Sequence, residues 1–278
     1  MTPEDIYDIE LISKGPLNIF KIYENFQACM YLVCGQEKKC LTDTAFGFGD
    51  LAAITGQLSP LPVTVVNTHG HIDHVLGNHY FDKAYIHPAD RELYKEVADN
   101  FANIAEDAKN DETFGALIGD NDFSSVKFPS ADDIGDGDVI DLGGKVLRVI
   151  GMPGHTEGSI MLIDEDEKIC FSGDSILEHP WLFLEESQPL ETYLDSLRRA
   201  SDILKNSGIE RIYSGHYSYK PLTLEDLDKL ICGVEDVIAG KLEGKPFTNH
   251  AGSGLEYEIG EFSILCPEGT GAEGRISV

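Results

Sequence analysis

Thr68-His69-Gly70-His71-Ile72-Asp73-His74 packs three imidazoles and a carboxylate into a single short segment, and no other stretch restricts this 278-residue chain as strongly. Structural histidines rarely need such company, whereas the arrangement HxHxDH is what a metal site requires. The preceding Val63-Thr64-Val65-Val66-Asn67 is a β-branched run suited to a buried strand, so the cluster falls where a strand ends and a loop begins. Residues two apart leaving a strand, His69 and His71, can converge on one ion. Asp73 and His74, a step later in a turning chain, point elsewhere and can serve a second, so the spacing hints at two metals.

A catalytic zinc keeps about three protein ligands and an open position for water, so a second ion needs donors from elsewhere. Gly154-His155-Thr156-Glu157-Gly158-Ser159 offers a histidine in a Gly-flanked turn. Ser172-Gly173-Asp174 offers a carboxylate after an apolar run, and Ser214-Gly215-His216 repeats that design with an imidazole. Each alone reads as a loop histidine or a turn-capping aspartate; together, in this order, they read as a ligand set.

The ordered motifs resemble the metallo-β-lactamase superfamily, in its HxHxDH…H…D…H branch that includes glyoxalase II enzymes and N-acyl-homoserine lactonases. The likeness runs from about Phe20 to about Gly240. It implies an α/β (α+β) fold, a four-layer αββα sandwich. It also implies that His69, His71 and His155 bind a first metal, that Asp73, His74 and His216 bind a second, and that Asp174 bridges them. Asp43, in Leu41-Thr42-Asp43-Thr44, stands where the family commonly has an acid beneath the metal loop, orienting ligands by hydrogen bonding.

Two cations sharing a water lower its pKa toward neutrality and yield hydroxide that attacks a carbonyl polarised by one metal. In that chemistry Asp73 orients the nucleophile and Asp174 fixes the metal pair, so both are candidate catalytic groups. The expected activity is dinuclear, metal-dependent hydrolysis of a small thioester, ester, lactone or amide. Zinc is the default cofactor, although iron and manganese suit the same mixed N/O donors. Departures from the branch narrow the substrate. Clinically known β-lactamases usually replace the acid present here as Asp174. Lactonases commonly carry tyrosine where this chain has Leu177, and after Gly240 only Lys241, Lys245 and Arg275 are available to hold glutathione carboxylates. Two alternatives stand beside hydrolysis. One is an oxygen-using redox member, either a sulfur dioxygenase or a di-iron protein whose usual flavodoxin domain 278 residues do not accommodate; the other is a non-catalytic metal-binding module.

Shortly after Asp174, the segment Glu178-His179-Pro180-Trp181-Leu182-Phe183-Leu184 is apolar and aromatic. His179, Trp181 and, after the last ligand, Tyr217 are candidate substrate contacts, with packing of the following helix as the equal alternative. A net charge of −28 repels phosphate backbones, which argues against nucleic-acid partners and favours a neutral or apolar acyl substrate over a polyanion. No apolar run is long enough to span a bilayer. Met1-Thr2-Pro3-Glu4-Asp5 lacks the basic start of a secretion signal, and the six cysteines show no CxxC spacing, so a cytoplasmic protein with reduced thiols is expected. The sequence is silent on subunit number.

The chain reads as a single domain over residues 1–278, with a helical insertion at about 88–122 and a C-terminal extension from about 241. Expected strands lie at Asn18–Tyr23, Ala28–Cys34, Lys39–Thr42, Ala84–His87, Val139–Leu142, Lys145–Ile150, Ser159–Ile163, Lys168–Ser172, Glu256–Ile259 and Phe262–Leu265. Helices are expected near Gly49–Thr55, from Pro88 to Phe101, and over Leu190–Asn206 and Thr223–Gly240, with Gly208 and Gly240 as stop signals.

Overall fold

In the computed structural model, residues 6–24, 28–110, 115, 126–216 and 218–270 are described. The first half builds a seven-stranded sheet in chain order: β1 (Tyr7–Leu11), β2 (Ile19–Glu24), β3 (Cys29–Cys34), β4 (Lys39–Thr42), β5 (Val63–Val66), β6 (Ala84–Ile86) and β7 (Ala131–Asp133). Pairing is antiparallel from β1 to β4 and parallel from β4 to β7. The second half builds a five-stranded sheet from β8 (Val139–Asp141), β9 (Val146–Gly151), β10 (Ile160–Asp164), β11 (Ile169–Gly173) and β12 (Arg211–Ser214).

Side-chain alternation along these strands explains why the sheets stack. In β3, Cys29, Tyr31 and Val33 point into the space between the sheets, where they meet Leu147, Val149, Leu162 and Phe171. The intervening Met30, Leu32 and Cys34 point to the opposite face, onto Leu51 and Ile54 of α1 (Leu51–Leu58). In β10, Ile160 and Leu162 face the first sheet while Met161 and Ile163 face α4 (Leu190–Asn206) and α5 (Leu224–Ile238). Leu190, Leu194, Leu197 and Leu204 form the stripe that α4 lays on the sheet, and burying each such side chain contributes about 1.5–3 kcal/mol. The result is the expected αββα sandwich. Thr223 and Asp226 close α5 with a reciprocal capping box, and Gly208 and Gly240 follow the two helices with positive φ, as their placement predicts.

Between β5 and β6 lies the short helix α2 (Ile72–Val75), and α3 (Arg91–Asn110) follows β6 after a 3₁₀ turn at Pro88–Asp90. Thus α3 outlasts the expected Pro88–Phe101 span; the remainder of the stretch to 122, apart from Gly115, lies outside the described residues. Beyond α5 a three-stranded sheet forms from β13 (Lys245–Asn249), β14 (Gly252–Ile259) and β15 (Phe262–Cys266), one strand more than expected. Its Tyr257, Phe262 and Ile264 join the core under α4 and α5. Among the described residues no helix is long and apolar enough to cross a membrane. All six cysteines are unpaired, and Cys232 is the exposed one.

Candidate metal centre

The loops that follow β5, β9, β11 and β12 meet at one rim of the sandwich, because the parallel pairs β4–β5 and β11–β12 end there together. Two backbone bonds stitch the sheets at this edge, Ile160 N–H to the Thr68 carbonyl at 2.8 Å and Cys29 N–H to the Gly215 carbonyl at 2.7 Å. Gly173 carries φ +50°, and a Cβ there would collide with Thr68 Oγ1, so glycine is needed for Asp174 to approach the His loop.

All seven sequence-predicted donors come together. One donor atom from each of His69, His71 and His155 forms a set whose atoms all lie within 4.8 Å of one another; His69, His74 and Asp174 form a second, and Asp73, His74 and His216 a third. Asp174 stands between the outer sets: its Oδ2 is 3.0 Å from His216 Nε2 and 3.7 Å from His155 Nε2, and its Oδ1 is 3.4 Å from His74 Nε2. His155 Nε2 and His71 Nδ1 are 2.8 Å apart. His69, His74, His155 and Asp174 are buried; His71, Asp73 and His216 are only partly covered, so the cluster opens to solvent on their side.

Hydrogen bonds on the far side of each ring fix which nitrogen faces inward. His155 Nδ1 is 2.7 Å from the Trp181 carbonyl, and His74 Nδ1 is 3.0 Å from Asp43 Oδ2. Asp43 also accepts from Thr68 N–H at 2.7 Å and from Thr68 Oγ1 at 2.8 Å, and Thr68 Oγ1 in turn lies 3.2 Å from His69 Nδ1. Asp43 holds this position with φ +61°, a left-handed conformation that aspartate tolerates better than most residues. His71 is turned the other way, its Nε2 bonded to the Glu186 carboxylate.

Two acids of this framework were not legible in the sequence. Asp90 is wholly buried and accepts from Gly70 N–H at 2.9 Å, Thr156 Oγ1 at 2.7 Å and Gly158 N–H at 2.7 Å, tying the His69 loop to the His155 loop. It sits inside a segment whose pattern reads only as the start of an amphipathic helix. Glu186 lies on the loop before α4, and neither its spacing nor its neighbours signal a role.

The electrostatics split the cluster. Burial, reinforced by neighbouring imidazoles, drives the His155 pKa down to about 4 and that of His69 well below the ordinary histidine value. Burial opposes protonation of His74 too, but Asp73, Asp174 and Asp43 outweigh it and raise its pKa to about 10; at His216 the same opposition, overcome chiefly by Asp174, gives about 9. Asp174 is held well below the usual carboxylate range because His216 and His74 outweigh its burial.

The three expected substrate contacts fare differently. His179 is exposed, and its Nδ1 bonds Ser263 Oγ of β15 at 2.9 Å, on a loop pinned to β15 through Leu182 N–H and the Leu265 carbonyl at 2.8 Å. Trp181 meets the centre through its carbonyl, at His155 Nδ1, and its ring packs against Phe183 and His250. Tyr217 lies outside the described residues. Replacing His179 with alanine should therefore change kcat/KM by no more than about twofold, the scale of ordinary surface substitutions. Steady-state kinetics on a cleaved substrate check this, and a tenfold loss with folding intact would contradict the placement.

A family model described as "Metallo-beta-lactamase superfamily" matches residues 24–216, and the chain belongs to that superfamily. It is a metal-dependent hydrolase of that fold, a class in which His/Asp clusters hold divalent ions. The acyl-coenzyme A thioesterase MBLAC2 of Homo sapiens is 30% identical over 219 residues, covering 72% of this chain and 78% of that protein. Its Bos taurus counterpart is 29% identical over the same coverage. Among solved structures, a metallo-beta-lactamase from Pontibacter korlensis superposes with a TM-score of 0.61 at 15% identity, covering 83% of this chain and 99% of that one.

Proposed function

We propose that this protein hydrolyses thioesters of apolar acyl groups, using two divalent ions held at the rim of the sandwich. One observation carries the metal part of the reading. His69 Nε2, His74 Nε2 and Asp174 Oδ1 are buried, lack any hydrogen-bond partner, and all belong to the three donor sets. Orphaned buried polar atoms of this kind are costly unless a cation satisfies them. His69, His71 and His155 would hold one ion and Asp73, His74 and His216 the other, with Asp174 shared. Bound there, such ions supply Lewis acidity and a water acidified toward neutral pH, and zinc is the expected identity.

The remaining work falls to the chain. Asp43, the Trp181 carbonyl and Glu186 hold the rings in orientation, and Asp73, on the open side, is placed to accept a hydrogen bond from an incoming nucleophile. A thiol of pKa about 8.5 leaves readily as its anion, so thioester cleavage makes no demand for a protonated side chain at the leaving group. That agrees with a His179 engaged elsewhere. The relatives named as acyl-coenzyme A thioesterases support the same bond.

A small cleft of about 70 Å³ adjoins His216 and is lined also by Lys21, Tyr31, Ser214 and Lys220, and by Glu10, which stands opposite Lys21 across β1 and β2. Two lysines here give a −28 chain a local place for an anionic thiol carrier such as coenzyme A. The expectation of an apolar substrate then applies to the acyl half alone.

The test is a matched panel on the metal-loaded protein: octanoyl-coenzyme A, the corresponding oxygen ester, an octanoyl lactone and a β-lactam. Thioester kcat/KM should exceed the others by tenfold or more. Preference for the lactone or the oxygen ester by that factor would overturn the thioester reading.

A further inference from the structure

We infer that the groove between the His71 loop and α3 is the acyl-chain site, an assignment that rests on the thioesterase reading and names which surface receives the acyl half. The groove is shallow and open to solvent, about 230 Å³ in volume, and is lined by His71, Ile72, Leu93, Val97 and Ile104, with the exposed Glu96 and Asn100 also on it. One of its lining residues, His71, is thus also a candidate donor of the metal centre.

The α3 sequence explains why the groove exists. Tyr94, Phe101 and Ala105 are the buried face of this helix. Leu93, Val97 and Ile104 form a second stripe at helical spacing, one above another, and all three are only half-buried among the described residues. Apolar side chains in a line beside a reactive cluster, rimmed by polar ones, mark a surface built for an apolar ligand. From Leu93 to Ile104 the helix rises about 17 Å, at about 1.5 Å per residue, so the wall is long enough for an extended medium or long chain. Glu96 on the rim disfavours an anionic tail, which leaves a hydrocarbon as the occupant. A carbonyl held at the cluster with its acyl chain along α3 would direct the thiol side toward His216 and the lysine-bearing cleft.

Two arms test this. In the first, kcat/KM is measured for acetyl-, hexanoyl-, octanoyl- and dodecanoyl-coenzyme A. It should rise about twofold per methylene, roughly half the effect of full burial, and the dodecanoyl-to-acetyl ratio should fall at least tenfold in Val97→Asp. Ile104→Trp, which blocks the far end, should move the optimum to shorter chains. In the second arm, calorimetry follows binding of S-dodecyl- and S-methyl-coenzyme A, thioethers that cannot be cleaved. The dodecyl compound should bind at least tenfold tighter, and Val97→Asp should abolish the difference. Turnover with a flat chain-length profile, or a dodecyl preference untouched by both substitutions, would overturn the groove assignment and leave the thioesterase reading standing. No thioester turnover with a Val97-dependent dodecyl preference would instead sink the thioesterase reading and keep the groove.

Discussion

Asp174→Ala is expected to lower kcat by about a thousandfold or more while the protein remains folded. Asp174 is the carboxylate that lies within 4 Å of donor nitrogens from both outer sets, His155 on one side and His216 on the other. In the proposed two-ion centre, removing it would delete the shared ligand and separate the two donor sets. A metal that polarises a carbonyl supplies several kcal/mol of transition-state stabilisation, and each 1.36 kcal/mol is about tenfold in rate, so losing the pair's geometry accounts for that magnitude. Kinetics should be paired with elemental analysis and a melting curve. A loss below tenfold, with metal content unchanged, would show that Asp174 does not hold the site together.

Asp90→Ala should be the most destabilising single change at the rim. Three buried donors, the Gly70 and Gly158 amides and the Thr156 hydroxyl, lose their shared carboxylate, and a Cβ at Gly158 would collide with that same carboxylate, so these groups are packed directly against it. Hydrogen bonds to a charged acceptor contribute about 1.5–3 kcal/mol each. With partial relaxation and water entry, a net cost of about 3–5 kcal/mol is expected, or roughly 10 °C in Tm for a chain of this size. Asp90→Asn, which keeps the shape and one acceptor, should lose about half as much. Because the two loops tied by Asp90 carry His69, His71 and His155, metal retention should fall alongside stability. Thermal and denaturant unfolding of the ion-free and loaded forms measure both. A Tm within about 2 °C of the parent, less than the shift of a single kcal/mol, would mean that the loops are held by other means.

What the sequence disclosed follows from where its signals are strong. Central strands such as β3 and β10, buried on both faces, announce themselves as apolar runs, and α4 is delimited by its stripe and by Gly208. The strands that escaped are edges, the largely buried Arg211–Ser214 of the second sheet among them. Tyr7–Leu11 has one buried residue in five, Ala131–Asp133 has none fully buried, and Lys245–Asn249 contains Pro246, which an edge strand accommodates. Pairing with a neighbour, rather than composition, makes them strands. The convergence of the seven candidate donors was legible because metal chemistry demands particular residue types at strand ends. Asp90 and Glu186 were not, since a carboxylate that accepts from loop amides or steadies an imidazole can come from anywhere in the chain and leaves no local pattern. His179 shows the converse case: a polar residue among aromatics soon after Asp174 reads as a substrate contact, and in the fold its Nδ1 bonds Ser263 on a loop attached to β15, a pairing that no local pattern announces.

The most direct test is titration of the chelator-stripped protein with zinc, recording bound metal and octanoyl-coenzyme A hydrolysis on the same samples. A dinuclear hydrolase should reach a plateau near two ions per chain, with activity that keeps rising until the second equivalent is bound. Full activity at one equivalent, with no second ion retained, would contradict the dinuclear assignment.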